Sequence, residues 1–209
     1  NAMSLMQMPV GTQVHCIEMR PGVHFDMHFA LNGLDQRLAT CGITTFCHAL
    51  SFSDNDFGLR SGGMADQMVQ MVSRYMQSMQ HRVNHRIHAR YEVTSPSVLP
   101  ILEQLLDNHE VDVFSLTDHT PGQGQFRSME SFLEYQTGMY GVTRDEAVQA
   151  AAFKAQQRIK GLEHLQSVCR KVVESGIPFL SHDDDTADKV ELVRQLGAWG
   201  CEFPVNMET

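Results

Sequence analysis

The chain has 209 residues, enough for one domain with a sizeable core. Charged residues make up 20% and hydrophobic residues 42%, a balance typical of globular rather than disordered or fibrous proteins. The net charge of −9 argues against nucleic acid or an anionic membrane surface as a partner. No apolar stretch is long enough to span a bilayer, and no signal peptide is evident.

The five cysteines are widely spaced and form no CxxC pair. An odd number of separated thiols fits reduced cysteines in a cytoplasmic protein better than a disulfide framework or a structural zinc knot. Asn1 and Ala2, ahead of Met3, are typical of a remnant of tag cleavage and are left out of fold reasoning. No linker divides the chain, so we expect residues 1–209 to form a single domain.

Strands and helices alternate in the predicted element order. Short apolar or β-branched runs closed by polar residues predict strands, and apolar residues at helical spacing predict helices. The predicted elements are a strand at Thr12–Ile17, a helix at Leu31–Cys41, a strand at Ile43–Ala49, a loop at Ser51–Gly63, a helix at Met64–Gln80, a strand at His85–Val93, a helix at Pro96–Leu106, a strand at Val111–Asp118, a long excursion at Thr120–Thr143, one or two helices at Arg144–Ser175 with a break at Gly161 as one option, a strand at Ile177–Ser181, a helix at Thr186–Leu196 and a strand at Cys201–Val205. About six strands separated by helices predict an α/β fold with a parallel sheet and right-handed crossovers.

Two of the predicted strands end on a histidine beside an acid. One ends at Asp118-His119 and the other at His182-Asp183. Ligands bind at the carboxyl ends of the strands in open and closed α/β sheets, so the repeated pattern predicts one shared metal site. An Asp or Thr after a strand also suits the N-cap of the next helix, which is the competing interpretation for either motif alone.

A third ligand is expected from the strand before these two. His88, Arg90 and Glu92 share one face of that strand, because strand side chains alternate. Glu92 would face the same opening as the two histidines, although a buried pair of Arg90 and Glu92 is a structural alternative. Two imidazole nitrogens and a carboxylate oxygen suit Zn²⁺, with Mn²⁺ or Mg²⁺ as alternatives. A metal bound in this way would activate water for hydrolysis.

Polar groups beside the predicted ligands are candidates for catalysis and substrate binding. We expect Asp118 and Asp183 to orient the ligands or to carry protons. A glycine-bearing loop follows His119 and would offer backbone N–H groups to an anion, with a plain turn as the competing interpretation. The predicted substrate-binding residues are Arg90, Gln123, Gly124 and Gln125.

Several segments, taken in order along the chain, resemble one protein family. They are Arg20-Pro-Gly-Val23, Gly42-Ile-Thr-Thr45, His85-Arg-Ile-His-Ala-Arg-Tyr-Glu92, Ser115-Leu-Thr-Asp-His-Thr-Pro-Gly-Gln-Gly-Gln-Phe126, Ser181-His-Asp-Asp-Asp-Thr186 and Glu202-Phe-Pro204. Together they resemble the phosphonate-metabolism diphosphatases of the amidohydrolase superfamily. The resemblance implies a (β/α)₈ barrel with a divalent metal held by Glu92, His119 and His182. It also implies hydrolysis of a ribosyl triphosphate ester, a small phosphorylated sugar substrate, with release of pyrophosphate.

The chain departs from the family pattern near both ends. His15 fits the first metal ligand of the family's opening strand, but Ile17 stands where an acid is expected. The family continues past the segment at Glu202 through two more strands, one of which carries a final metal-binding Asp. We therefore expect an incomplete, truncated barrel whose open side is covered by a second copy in a homodimer.

Two other interpretations compete with the hydrolase. The first is a non-catalytic, truncated barrel that binds metal or phosphate without turnover. The second is an unrelated doubly wound α/β protein whose histidines and acids cluster by chance.

Overall fold

The computed structural model describes residues 26–54 and 62–206. Helices and strands alternate within these ranges, as the sequence predicts. In chain order they are α1 (Met27–Thr40), β1 (Thr45–Phe52), α2 (Gly62–Gln77), β2 (Asn84–Glu92), α3 (Leu99–Asp107), β3 (Val113–Thr117), α4 (Met129–Tyr140), α5 (Arg144–Glu174), β4 (Phe179–His182), α6 (Ala187–Gln195) and β5 (Gly200–Glu202). Among these helices none has the length and apolar character needed to cross a membrane.

The strands form one parallel sheet in which spatial order follows chain order, β1-β2-β3-β4-β5. Right-handed crossovers between sequential neighbours place the connecting helices on one face of the sheet. A doubly wound sheet would instead reverse its strand order at a switch point. The predicted α/β fold, consistent with a partial (β/α)₈ barrel, is therefore confirmed, and the strands within the described residues show no reversal of the doubly wound kind.

The two faces of the sheet differ in chemistry because strand side chains alternate. One face packs against the helices and forms the main apolar core. Its most deeply buried strand side chains are Leu50, Phe52, Ala89, Tyr91, Phe114 and Phe179. The opposite face, here called the inner face, carries His88, Arg90 and Glu92 of β2. It corresponds to the interior of a barrel and positions the site described below.

One predicted element lies outside the described residues, and another differs from the structure. The strand predicted at Thr12–Ile17 lies outside the described residues. The excursion predicted at Thr120–Thr143 contains α4, which begins with a reciprocal cap between Ser128 and Ser131. A Ser at the third helical position is not the Glu or Gln that usually marks such a start, so the helix carries a weak sequence signal.

Helix α5 is continuous, so the break considered at Gly161 does not occur. A Cβ added to Gly161 would lie only 1.9 Å from the carbonyl oxygen of Val93, directly after β2. Glycine is therefore required here for a close approach of helix to strand rather than for a turn. This contact brings α5 against the end of the strand that carries Glu92.

Candidate metal centre

Glu92 and His119 form a close pair at the carboxyl ends of β2 and β3. One carboxylate oxygen of Glu92 contacts Nδ1 of His119, and the other accepts the backbone N–H of His119 at 3.0 Å. The hydroxyls of Thr94 and Thr117 donate to the same carboxylate at 3.2 and 3.4 Å. These contacts orient the imidazole, and its Nε2 lies 3.6 Å from Oδ2 of Asp183.

Glu92 and His119 each stabilise the charged form of the other. Burial opposes the ionised carboxylate of Glu92, but the charge and hydrogen bonds of His119 hold its pKa well below its usual range. Burial likewise opposes a charged imidazole, yet Glu92 and Asp183 raise the pKa of His119 to about 9. The two carboxylates therefore favour the protonated form of His119.

Asp183 brings the second histidine into the same group. Its Oδ2 lies 3.0 Å from Nδ1 of His182 as well as 3.6 Å from Nε2 of His119. Burial would raise the pKa of Asp183, but its contacts with the two imidazoles outweigh burial and lower the pKa far below its usual range. One ligand atom from each of these three residues lies within 4.8 Å of the others. Two nitrogens and one oxygen that converge in this way fit a divalent metal such as Zn²⁺.

The backbone at Asp183 adopts a conformation that few non-glycine residues favour, with φ of 54°. Lys189 of α6 donates to the carbonyl oxygens of His182 and Asp183, each at 3.0 Å. The backbone N–H of Asp183 donates to the carbonyl oxygen of Glu202 on β5 at 3.0 Å. Lys189 was missed from the sequence, since no motif reveals which carbonyl oxygens a lysine will reach.

Arg90 contacts His182 on the side opposite Asp183. Its Nη2 lies 3.0 Å from Nε2 of His182. The neighbouring inner-face residue His88 lies 2.9 Å from the hydroxyl of Ser115, and burial with the charges of Arg90 and His182 lowers the pKa of His88 to about 3. The inner face thus presents a guanidinium directly beside the histidines.

The glycine-bearing loop after His119 packs onto the turn that follows β4. Gly124 has φ of 54°, and its N–H donates to the carboxylate of Asp185 at 2.8 Å. A Cβ at Gly124 would lie 3.2 Å from the carbonyl oxygen of Asp183. Both conformation and space therefore favour glycine. In the same loop, Gln123 lies 3.5 Å from a nitrogen of Arg158, and Gln125 is exposed.

Asp118 lies next to His119 in sequence but contacts a different element. Its carboxylate binds Nε of Arg158 on α5 at 2.7 Å and accepts the hydroxyl of Thr120 at 2.6 Å. Asp118 and Arg158 line a cavity of about 330 Å³, together with Gln123 and Lys189. Asp118 thus ties the loop after β3 to α5.

The structure brings together four of the residues singled out from the sequence, namely Glu92, His119, His182 and Asp183. The predicted ligand His15 lies outside the described residues. His48 of β1 does not join this group, because it lies on the helix-covered face beside Leu50 and Phe52. There its Nε2 is 2.8 Å from Nδ1 of His85, whose Nε2 is 3.1 Å from Asp35 of α1.

Comparison with known proteins supports the resemblance drawn from the motifs. No family model matches the chain. One curated relative, alpha-D-ribose 1-methylphosphonate 5-triphosphate diphosphatase of Escherichia coli strain K12, is 32% identical over 197 residues. The match covers 90% of this chain and 50% of the relative, so the chain spans about half the length of that protein. The predicted similarity to a phosphonate-metabolism diphosphatase is therefore confirmed over most of this chain.

Proposed function

We propose that this chain carries the metal centre of a hydrolase that cleaves a ribosyl triphosphate ester and releases pyrophosphate. The observation that carries the proposal is the group of His119, His182 and Asp183 at the carboxyl ends of adjacent parallel strands. Similarity to the diphosphatase supports the reaction class. We propose Zn²⁺ as the metal, with Mn²⁺ or Mg²⁺ as alternatives, because the donor set mixes nitrogen and oxygen.

Each member of the group has a distinct role in this proposal. A divalent metal, when bound, supplies Lewis-acid activation of water and of phosphoryl oxygens. His119 and His182 are ligands, with His15 as a further predicted ligand. Glu92 is a ligand or holds His119 in place, and its two contacts with His119 support the latter role directly. Asp183, which lies beside both imidazoles, is proposed to orient them and to carry a proton.

Substrate binding is proposed for the polar groups around the histidines. The guanidinium of Arg90 beside His182 suits a phosphoryl group, since arginine binds phosphate oxygens through fixed N–H donors. The loop that follows His119 supplies the other proposed substrate-binding residues, Gln123, Gly124 and Gln125. The N–H of Gly124 already binds a carboxylate, which supports an affinity of this loop for anions.

A centre that binds metal or phosphate without turnover is the second candidate. One observation favours it, because both predicted proton carriers are already in contact with nitrogen atoms of other side chains. Asp118 binds Arg158, and Asp183 contacts both histidines. Losing a positioned general base typically lowers the rate by about 10²–10⁴-fold.

We also propose a homodimer. Within residues 26–54 and 62–206, β1 and β5 each pair with a single strand, which leaves an edge on either side of the sheet. Ile159 and Trp199 expose 65% and 69% of their surface. A second copy would cover such edges and apolar surface. Light scattering at micromolar concentration tests this, and a clean monomer would contradict it.

The cytoplasmic location and the single domain stay predictions.

Metal analysis combined with a pyrophosphate-release assay tests the function. The wild-type protein, a His119→Ala/His182→Ala double variant and the exposed control His164→Ala are loaded with Zn²⁺ or Mn²⁺ and given ribosyl or nucleoside triphosphates. We expect bound metal and pyrophosphate release from the wild type and the control, and neither from the double variant. Metal without release supports the second candidate. Equal metal binding by the double variant would contradict the proposed site.

A further inference from the structure

The contact between Arg90 and His182 determines which nitrogen of the imidazole carries the proton. Nη2 of Arg90 lies 3.0 Å from Nε2 of His182. A guanidinium only donates hydrogen bonds, so Nε2 must offer its lone pair. The proton of the neutral ring is then on Nδ1, which faces Oδ2 of Asp183 at 3.0 Å. The contact with Arg90 thus defines the tautomer of this imidazole.

A metal on His182 is incompatible with this contact. A neutral imidazole has one nitrogen lone pair, and a ring that binds a metal through one nitrogen carries its proton on the other. If the metal takes Nε2, it occupies the position of the Arg90 donor. If the metal takes Nδ1, then Nε2 bears hydrogen and meets a second donor. Either mode separates Arg90 from His182.

We propose that Arg90 couples the metal to an anion: a divalent ion at the histidines displaces the guanidinium from His182, and the guanidinium then binds a phosphate-class oxygen beside the ion. This inference rests on the metal centre of the proposed function and adds an order of events to it. Before the metal binds, Arg90 is engaged with a ligand residue. Afterwards, two positive charges lie close together on the inner face, and an anion between them stabilises both.

The position of Arg90 supports this role. It lies two residues before Glu92 on β2 and pairs in register with Ser115 of β3. Its side chain therefore lies on the inner face, as do the residues of the metal centre. Arg86, four residues earlier on the same face, is engaged elsewhere, since it binds Asp112 at 2.8 Å with half of its side chain exposed. The strand therefore provides one arginine at the histidines and a matched one away from them.

Linkage gives the inference a measurable form. If metal and phosphate each favour the same displaced position of Arg90, each raises the affinity of the other by the same factor. Removing the guanidinium also removes a competitor for His182, so metal alone should bind more tightly. Hydrogen bonds to charged groups are strong enough for an effect of roughly tenfold.

Calorimetric titration of Mn²⁺, with and without inorganic phosphate, tests the coupling in the wild type, Arg90→Gln and Arg86→Gln. We expect phosphate to tighten Mn²⁺ binding to the wild type and to Arg86→Gln. Arg90→Gln should bind Mn²⁺ about tenfold more tightly without phosphate and respond to phosphate little or not at all. An Arg90→Gln variant with wild-type Mn²⁺ affinity, or with its phosphate response intact, would overturn the inference and leave the metal centre standing.

A second measurement needs only the wild-type protein. ¹⁵N spectra of the imidazoles should show Nε2 of His182 as an unprotonated acceptor before Zn²⁺ is added, and a changed state of this nitrogen afterwards. A proton on Nε2 in the metal-free protein would overturn the inference. Failure of any metal to bind the wild type would overturn both the inference and the proposed centre, whereas binding without hydrolysis would affect only the proposed reaction.

Discussion

The carboxylate of Glu92 contacts both Nδ1 and the backbone N–H of His119, and so it directs Nε2 of the ring toward Asp183. Two neighbouring strands are joined by this contact at their carboxyl ends. The orientation of the first histidine therefore depends on a residue that precedes it by a full helix and a strand.

Glu92→Gln is expected to weaken metal binding while the protein stays folded. The amide keeps the shape of the side chain but loses the charge that orients His119, and removal of such a partner lowers metal affinity by roughly 10–100-fold. Competition with a chromogenic zinc chelator measures the affinity. Glu163→Gln, on the exposed side of α5, is the matched control and should bind zinc as the wild type does. An unchanged affinity in Glu92→Gln would show that the contact has no part in metal binding.

Replacements of Asp183 should separate its backbone role from its carboxylate. Asparagine tolerates positive φ better than alanine does, so Asp183→Asn should retain about 1 kcal/mol more stability than Asp183→Ala. Both variants should lose metal affinity, because each lacks the carboxylate charge beside the two histidines. Urea unfolding and zinc titration together test this. Equal stability of the two variants would count against a strained backbone at this position.

Gly161→Ala is expected to destabilise the protein, although alanine normally favours a helix. The added Cβ would clash with the backbone of Val93. Such overpacking typically lowers the free energy of unfolding by about 1–3 kcal/mol. Gly33→Ala in α1 is the control, since no atom lies within 4 Å of its added Cβ. That substitution should stabilise the helix by about 0.5–1 kcal/mol. Chemical denaturation compares both variants, and a neutral or stabilising Gly161→Ala would contradict the close approach.

Stability should fall as pH falls below about 6.5 because of His48. Burial, together with the charge of His85, lowers the pKa of His48 to about 3. On acidification His48 therefore takes up a proton near pH 6.5 in the unfolded chain but only near pH 3 in the folded chain. The stabilising contribution is complete above the unfolded value and is lost on acidification, at up to about 1.4 kcal/mol per pH unit.

Urea unfolding between about pH 7.5 and about pH 5 checks this dependence. His48→Gln keeps a donor toward His85 without a titrating ring and should show a shallower decline. His164→Gln, at an exposed position of α5, should follow the wild type. An identical decline in His48→Gln would assign the acid sensitivity to other groups, of which His88 is the nearest equivalent.

The sequence carried enough information for the strands and for the residues at their ends. Apolar runs that stop at His119 and His182 identified two adjacent strands, and alternation within β2 placed Glu92 on the correct face. These signals are local, and a parallel sheet converts them into a common location at one edge. The similarity to the diphosphatase was likewise visible in short motifs.

Contacts made by long side chains could not be predicted in the same way. The contacts of the Lys189 and Arg158 side chains depend on how α6 and α5 pack against the sheet. Sequence spacing does not encode that packing. Asp118 illustrates the difficulty, since its contact with Arg158 on α5 could not be read from its position beside His119. Gly161 looked like a break because glycine lowers helix propensity, whereas packing against Val93 decides its role.

The alternation of side chains along β2 also limits how this strand can change over evolutionary time. Insertion or deletion of one residue within Asn84–Glu92 would shift the register by one position and exchange the occupants of the two faces. Tyr91 would then replace its neighbours near the histidines, and the charged side chains would enter the apolar core. Related sequences should therefore differ within this strand by substitution, and accept length changes only in the loops that flank it.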